Sequence, residues 1–337
     1  MNRKLGEEPR ARVKPSGNAS IWSRMGIRAV YGQCLLKLRE ENDRIFAISA
    51  DLGRSSGLGR FADEFPNSFL NVGIAEQTLI SVASGIARSG RSVFASTFAP
   101  FATLRAGEFV RLEMGYMQMP VVLVGLGSGL SLGYLGNSHY GLEDIGVVRS
   151  IAGVKIFSPA DASEMIVTLE QLSNNPIPSY VRLTGSAKSP FLFDSPEAIQ
   201  RIEHSFFGSS GGPLVVSAGA TSGHVRESIE ELGYSMGSNS SFGFLHINQI
   251  KPIATDALRI VKAASKILVL EEHFAVGGLC SALTDELINS GGLLTKKIET
   301  VNLGSEFPKQ GSYSQGLERY GLSTSAIRTK LKVFLNE

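Results

Sequence analysis

Seven residues, Asn71-Val-Gly-Ile-Ala-Glu-Gln77, put a carboxylate where charge is poorly tolerated. A short, buried-looking strand over 69–72 ends in glycine, and Glu76 enters in the first turn of an apolar helix over 75–89. Among Ile74, Ala75, Leu79, Ile80 and Val82, an ionised carboxylate loses hydration unless something pairs with it. Such burial raises a carboxyl pKa, which suits a group that shares a proton with a ligand nitrogen. An acid in a first helical turn also answers the helix dipole without any ligand. Phe98 and Phe101, three apart after a strand, can orient a flat ring at little entropic cost or simply fill a core. His139, in Asn137-Ser-His-Tyr-Gly-Leu-Glu-Asp144, sits in a loop from which an imidazole can donate a hydrogen bond or relay a proton; plain solvation is the alternative. Asp51 follows a strand in Ser49-Ala-Asp-Leu52, and Arg182 closes Tyr180-Val-Arg182. Parallel sheets gather ligands at such strand ends, although Asp51 could equally cap the next turn.

Positioning these groups requires a scaffold, and the periodicity supplies one. Strand-like runs at 45–49, 69–72, 92–95, 120–125, 154–157 and 179–183 alternate with helical patterns over 22–42, 75–89, 102–117 and from 160 onward. A glycine-rich loop over 127–141 precedes another helix. Continuous apolar strands between helices imply a parallel sheet covered on both faces. Residues 184–212 lose periodicity and are rich in Ser, Pro and Gly, with room for a short ribbon. A second alternating unit follows, with strands at 214–217, 244–247, 267–270 and 298–301. Its helices fall over 221–232, from 255, over 275–288 and over 324–335. The expected fold is α/β with two parallel-sheet-based domains. It divides into a flexible arm over 1–21, a first domain over 22–185, a linker over 186–212 and a second domain over 213–337.

Composition narrows the function classes. With 337 residues, 43% of them hydrophobic, the chain can bury two cores. A net charge of +2, with basic residues scattered, argues against a nucleic-acid footprint. Two cysteines, Cys34 and Cys280, cannot form a disulfide framework; both lie in apolar helical patterns and read as buried free thiols of a cytoplasmic protein. No apolar run is long enough to span a bilayer. Residues 1–20 are basic and polar, unlike a secretory signal.

Val72-Gly-Ile-Ala-Glu-Gln77 followed by Ser96-Thr97-Phe98 resembles the pyrimidine-binding domain of transketolase-type thiamine diphosphate enzymes. Glu271-Glu-His273 with Gly277-Gly278 and Ser281-Ala282 is similar to the C-terminal domain of the same enzymes, so the resemblance covers residues 22–336. It implies that Glu76 contacts N1′ of the cofactor aminopyrimidine and stabilises the tautomer that deprotonates thiazolium C2. It implies that Phe98 and Phe101 pack on that ring, with Leu104 where the family often has a third aromatic. Asp51 and Leu52 fall beside the cofactor at a subunit boundary, and His139 lines the substrate channel. Arg28, Ser55 and Arg182 match positions that hold a sugar phosphate, for which a guanidinium fork is well suited.

Two further positions depart from the family. Gly127 stands where a phosphate-contacting histidine belongs. Leu135 stands where an aspartate reads a sugar hydroxyl; a hydroxyl buried there without a partner would cost about 1–3 kcal/mol. The resemblance therefore implies an unusual acceptor or a donor gripped differently. Gly125-Leu-Gly127-Ser-Gly129 misses the dinucleotide spacing, and adjacent Glu271, Glu272 and His273 read as a strand-to-helix loop rather than a metal cluster.

The sequence contains no Gly-Asp-Gly, the mark of the diphosphate- and Mg²⁺-binding half. Nor does it offer the oxygen donor set that magnesium prefers. The resemblance thus implies the C-terminal subunit of a split transketolase. It would transfer a two-carbon ketol unit between small sugars, with an N-terminal subunit carrying Gly-Asp-Gly and the Mg²⁺ ligands in an α2β2 assembly. The beta subunit of a 2-oxo-acid dehydrogenase decarboxylating component and a non-catalytic partner subunit are the alternatives.

Overall fold

A computed structural model describes residue 15, residues 17–291 and residues 296–336. Most of the arm expected over 1–21 lies outside the described residues. Within them the chain opens on helix Ala19–Met25, where the Asn18 side chain accepts from the Ile21 amide at 3.1 Å.

The first half supplies strands β1 (Ile45–Ser49), β2 (Phe69–Asn71), β3 (Ser92–Phe98), β4 (Val121–Leu126), β5 (Lys155–Phe157) and β6 (Ser179–Arg182). The second half supplies β7 (His204–Gly208), β8 (Leu214–Ser217), β9 (Gly243–Ile247), β10 (Gln249–Lys251), β11 (Ile267–Leu270) and β12 (Ile298–Val301). They build two sheets, ordered β10-β5-β6-β4-β3-β1-β2 and β12-β11-β8-β9-β7. Every pairing is parallel except β10 on β5 and β7 on β9. The architecture is the expected α/β fold with two largely parallel sheets. β4 runs through the middle of the first sheet and is buried along its whole length, as its unbroken apolar sequence requires. Helix Ile27–Glu41 buries Val30, Tyr31, Cys34, Leu35 and Leu38, and helix Glu76–Arg88 buries Leu79, Ile80, Ala83 and Ala87. Both sets recur at helical spacing.

Several details differ from expectation. β2 is an edge strand, so it is half-buried to exposed rather than buried. Phe98 ends β3, which runs three residues past the strand expected over 92–95. The helix expected over 102–117 is two wide π turns, Phe101–Arg105 and Val110–Tyr116, around a short α segment Gly107–Phe109. The side-chain pattern there looks helical because the change lies in the backbone register, visible as Ala106 N bonding back to Phe101 O at 3.1 Å. The helix expected from 275 starts at Leu279, because Gly277 at φ 88° turns the chain first. The Glu271 carboxylate then accepts from the Leu279 and Cys280 amides at 2.5 and 3.4 Å, closing that helix start. The stretch 186–212 carries β7, an edge strand of the second sheet. Cys34 is buried, but Cys280 is only half-buried; both are free thiols.

The two sheets are joined by more than the chain. β10 comes from the second half yet pairs antiparallel with β5 of the first sheet. Glu164 of helix Ala162–Asn174 lies 2.7 Å from His246 Nε2 on β9, both fully buried. His246 Nδ1 reaches Ser222 Oγ at 2.7 Å. Glu272, after β11, accepts from the Leu130 amide at 2.6 Å and from the Tyr313 hydroxyl at 2.9 Å. Gly129 makes that approach possible: it sits at φ 66°, and a Cβ there would fall 2.2 Å from Glu272 Oε1.

Candidate active site

β2 and its turn deliver Glu76. The Asn71 side-chain oxygen accepts from the amides of Asp51 and Gly73, each at 3.0 Å, tying the ends of β1 and β2 together. Gly73 takes φ 75°, a backbone state that costs glycine nothing. Glu76 follows as the first residue of its helix and is 2% exposed.

A guanidinium meets this carboxylate. Arg105 Nη1 donates to Glu76 Oε2 at 2.8 Å. The same guanidinium lies over the Phe101 ring, 4.1 Å from its centroid. Residues i and i+4 share one helix face, which lets Arg105 cover Phe101. Phe101 and Phe98 lie 6.2 Å apart at 57°. His139 stands edge-on to both, at 5.3 Å from Phe101 and 5.8 Å from Phe98. Ser138 Oγ lies 2.9 Å from its Nδ1. Phe98, Phe101 and His139 thus form one ring cluster, and Arg105 joins Glu76 to it. Arg105 completes it and was missed; the signal available was a lone cation four residues after Phe101 in an otherwise uncharged run.

Arg28 and Ser55 meet elsewhere, on a cavity of about 450 Å³. Arg54, Gly127, Leu132, Tyr134 and Tyr313 also line it, and no carboxylate does among the described residues. At Gly127 a Cβ would fall 2.6 Å from the Leu132 side chain, so leucine fills the space where a larger residue would sit. Leu132 and Tyr134 face the cavity, whereas Leu135 is not in its lining. Asp51 lines a neighbouring depression with Arg54, Ser55 and Asn71. Leu52, next in the chain, is half-buried, its amide donating to Ser49 Oγ at 3.1 Å.

Arg182, expected to hold a sugar phosphate, lies buried in an internal ion pair. It is 3% exposed, and its Nε donates to both oxygens of Asp144 at 3.1 and 2.8 Å. Its Nη2 donates to the carbonyls of Gly141 and Glu272 at 3.2 and 2.8 Å. A buried charge must be paired, and Asp144, 38 residues away, does so inside the protein. The guanidinium is therefore held away from the cavity. Around it, burial pushes the Glu271 and Glu272 carboxyls up to about 7 and the His273 imidazole down to about 4. Glu271, Glu272 and His273 form the loop expected of them, and no group of three or more metal-ligating side chains occurs among the described residues.

Two parallel-sheet domains with a buried acid and paired aromatics at the sheet edge define the class: a pyrimidine-binding fold followed by a second α/β unit. Residues 23–187 match the family described as the pyrimidine binding domain of transketolase. A transketolase family protein of Sinorhizobium fredii is 30% identical over 311 residues, covering 92% of this chain and 89% of that one. The chain belongs to the transketolase family, which depends on thiamine diphosphate. One subunit of the apulose-4-phosphate transketolase of Phocaeicola vulgatus is 28% identical over 305 residues, covering 89% of this chain and 94% of its own length. A split-gene transketolase solved as an inactive beta4 tetramer superposes with a TM-score of 0.76 at 28% identity, covering 92% of this chain and 99% of that chain. Among the described residues, no helix is long and apolar enough to cross a membrane.

Proposed function

We propose that this chain is the C-terminal subunit of a split transketolase that transfers a two-carbon ketol unit from a ketose or ketose phosphate to an aldehyde-type acceptor. The single observation that carries the reading is Glu76, a buried carboxylate linked through the Arg105 guanidinium to Phe101, which packs with half-buried Phe98 and with His139. These residues fit the aminopyrimidine half of thiamine diphosphate: a carboxylate for a ring nitrogen and aromatic faces for the ring. Bound there, the cofactor supplies the carbon that accepts the ketol unit. Glu76 holds or shares the proton at N1′, Phe98 and Phe101 orient the ring, and His139 donates to a substrate oxygen. Asp51 and Leu52 border the cofactor from the β1 end.

Substrate enters by the cavity of Arg28, Arg54 and Ser55. Two guanidinium groups with no carboxylate in the lining favour an anionic end on the sugar. Leu132 and Tyr134 make that cavity more apolar than a polyhydroxylated chain prefers, which supports an acceptor with fewer hydroxyls.

The diphosphate and Mg²⁺ belong to an N-terminal partner with Gly-Asp-Gly, in an α2β2 assembly. The Phocaeicola relative is named as one subunit of its enzyme, and the split-gene relative is inactive as a homotetramer; both support dependence on a second chain. The first domain spans 22–185, the second takes in β7 from within the expected linker as well as 213–337, and the two free thiols fit a cytoplasmic setting. The test is reconstitution with a Gly-Asp-Gly chain, thiamine diphosphate and Mg²⁺, scored by ketol transfer between sugar phosphates. Transfer by the pair and none by either chain alone is expected; a pair that binds cofactor and transfers nothing would leave the non-catalytic partner as the better reading.

A further inference from the structure

We infer that Arg105 is a gate on the aminopyrimidine seat, closed in this subunit by itself and displaced when the ring enters. The inference rests on the reading of Glu76 and Phe101 as that seat. A flat, nitrogen-bearing ring needs two things there, the carboxylate of Glu76 and the open face of Phe101. One side chain holds both: Arg105 Nη1 is 2.8 Å from Glu76 Oε2, and its guanidinium carbon is 4.1 Å from the Phe101 centroid. Ring and guanidinium therefore compete for one place.

The geometry also provides a way out. Glu76 is closed in, but the Arg105 side chain is 41% exposed on a flexible stem, so it can swing into solvent without unfolding its turn. While closed, it spares a buried carboxylate from standing unpaired. Once the ring replaces it, the carboxylate faces a protonatable nitrogen in place of a permanent cation. A guanidinium fixed on the Glu76 carboxylate and the Phe101 face would keep the ring out of both, so the open state is the working one.

Isothermal titration of thiamine diphosphate, with Mg²⁺ present, into the complex with the Gly-Asp-Gly partner tests this. Arg105→Ala is expected to bind about tenfold more tightly than the wild type. Arg105→Lys, which keeps the charge but loses the planar stack, is expected to fall between. In a Glu76→Gln background the gain from Arg105→Ala should shrink, because the neutral amide no longer holds the gate. The unfolding midpoint of each variant alone reports separately on structure. Equal or weaker binding by Arg105→Ala, with the wild type binding normally, would overturn the gate and leave the functional reading intact. Absence of binding by both would overturn the seat itself, and the gate with it.

Discussion

Arg182 Nε donates to both carboxylate oxygens of Asp144, at 3.1 and 2.8 Å, and neither side chain reaches solvent. Tyr180 also donates to Asp144, at 2.8 Å. The pair sits where β6, the loop before helix Asp144–Ser150 and the Glu272 backbone converge. Through the Arg182 bond to the Glu272 carbonyl it fastens the two halves of the molecule.

Asp144→Ala should therefore act on stability. Leaving Arg182 buried and unpaired costs about 3–5 kcal/mol. The urea unfolding midpoint should drop accordingly, and adding Arg182→Met to the same chain should recover part of the loss. An unchanged midpoint in the single variant would remove Asp144 from this role.

Glu272 makes the fold pH-sensitive. Its carboxyl is raised from 4.5 to about 7, mainly by burial. A raised acid contributes stability that is fully present below about 4.5 and is lost as pH rises through about 7. Relative to Glu272→Gln, the wild type should lose on the order of 3 kcal/mol across that window. His273, lowered to about 4, acts in the opposite sense between 4 and 6.5. For that reason the difference between wild type and variant is the quantity to measure, by denaturant titrations at several pH values. A flat difference from pH 5 to 8 would contradict the assignment.

Glu76→Ala should lower ketol transfer by the reconstituted pair at least about 100-fold, the scale expected for losing a proton-handling group. Native mass spectrometry should still find the assembled complex. Wild-type turnover in that variant would end the proposed role of Glu76.

Arg54→Ala and Arg28→Ala should each raise KM for a phosphorylated substrate about tenfold, as expected when a charged hydrogen bond is lost, with kcat little changed. An unphosphorylated analogue should be nearly indifferent to either change. Equal effects on both substrates would mean that the cavity does not select an anion.

The alternation of strands and helices was legible because each element is long enough to show its period. Glu76 was legible because an acid in an apolar helical turn after glycine is a local anomaly. Arg182 was not, since its inward turn depends on Asp144, which no local pattern links to it. Its strand-end position correctly marked the edge of the sheet but not which way the guanidinium faces. Arg105 was hidden for a related reason: its partner Glu76 lies 29 residues away, and no local pattern links the two. β10 was invisible as well. Three residues carry no measurable alternation, and its partner β5 lies in the other half of the chain.

That borrowed strand has a consequence for any attempt to dissect the polypeptide. A scissor cut near residue 212 looks harmless on paper, yet it would strip β5 of its neighbour and bare a row of backbone donors and acceptors. The amino-terminal fragment would be sticky, and the carboxy-terminal one would carry an orphaned ribbon. The two halves should melt together as one cooperative body, and a two-piece version of this chain would need both pieces present to fold.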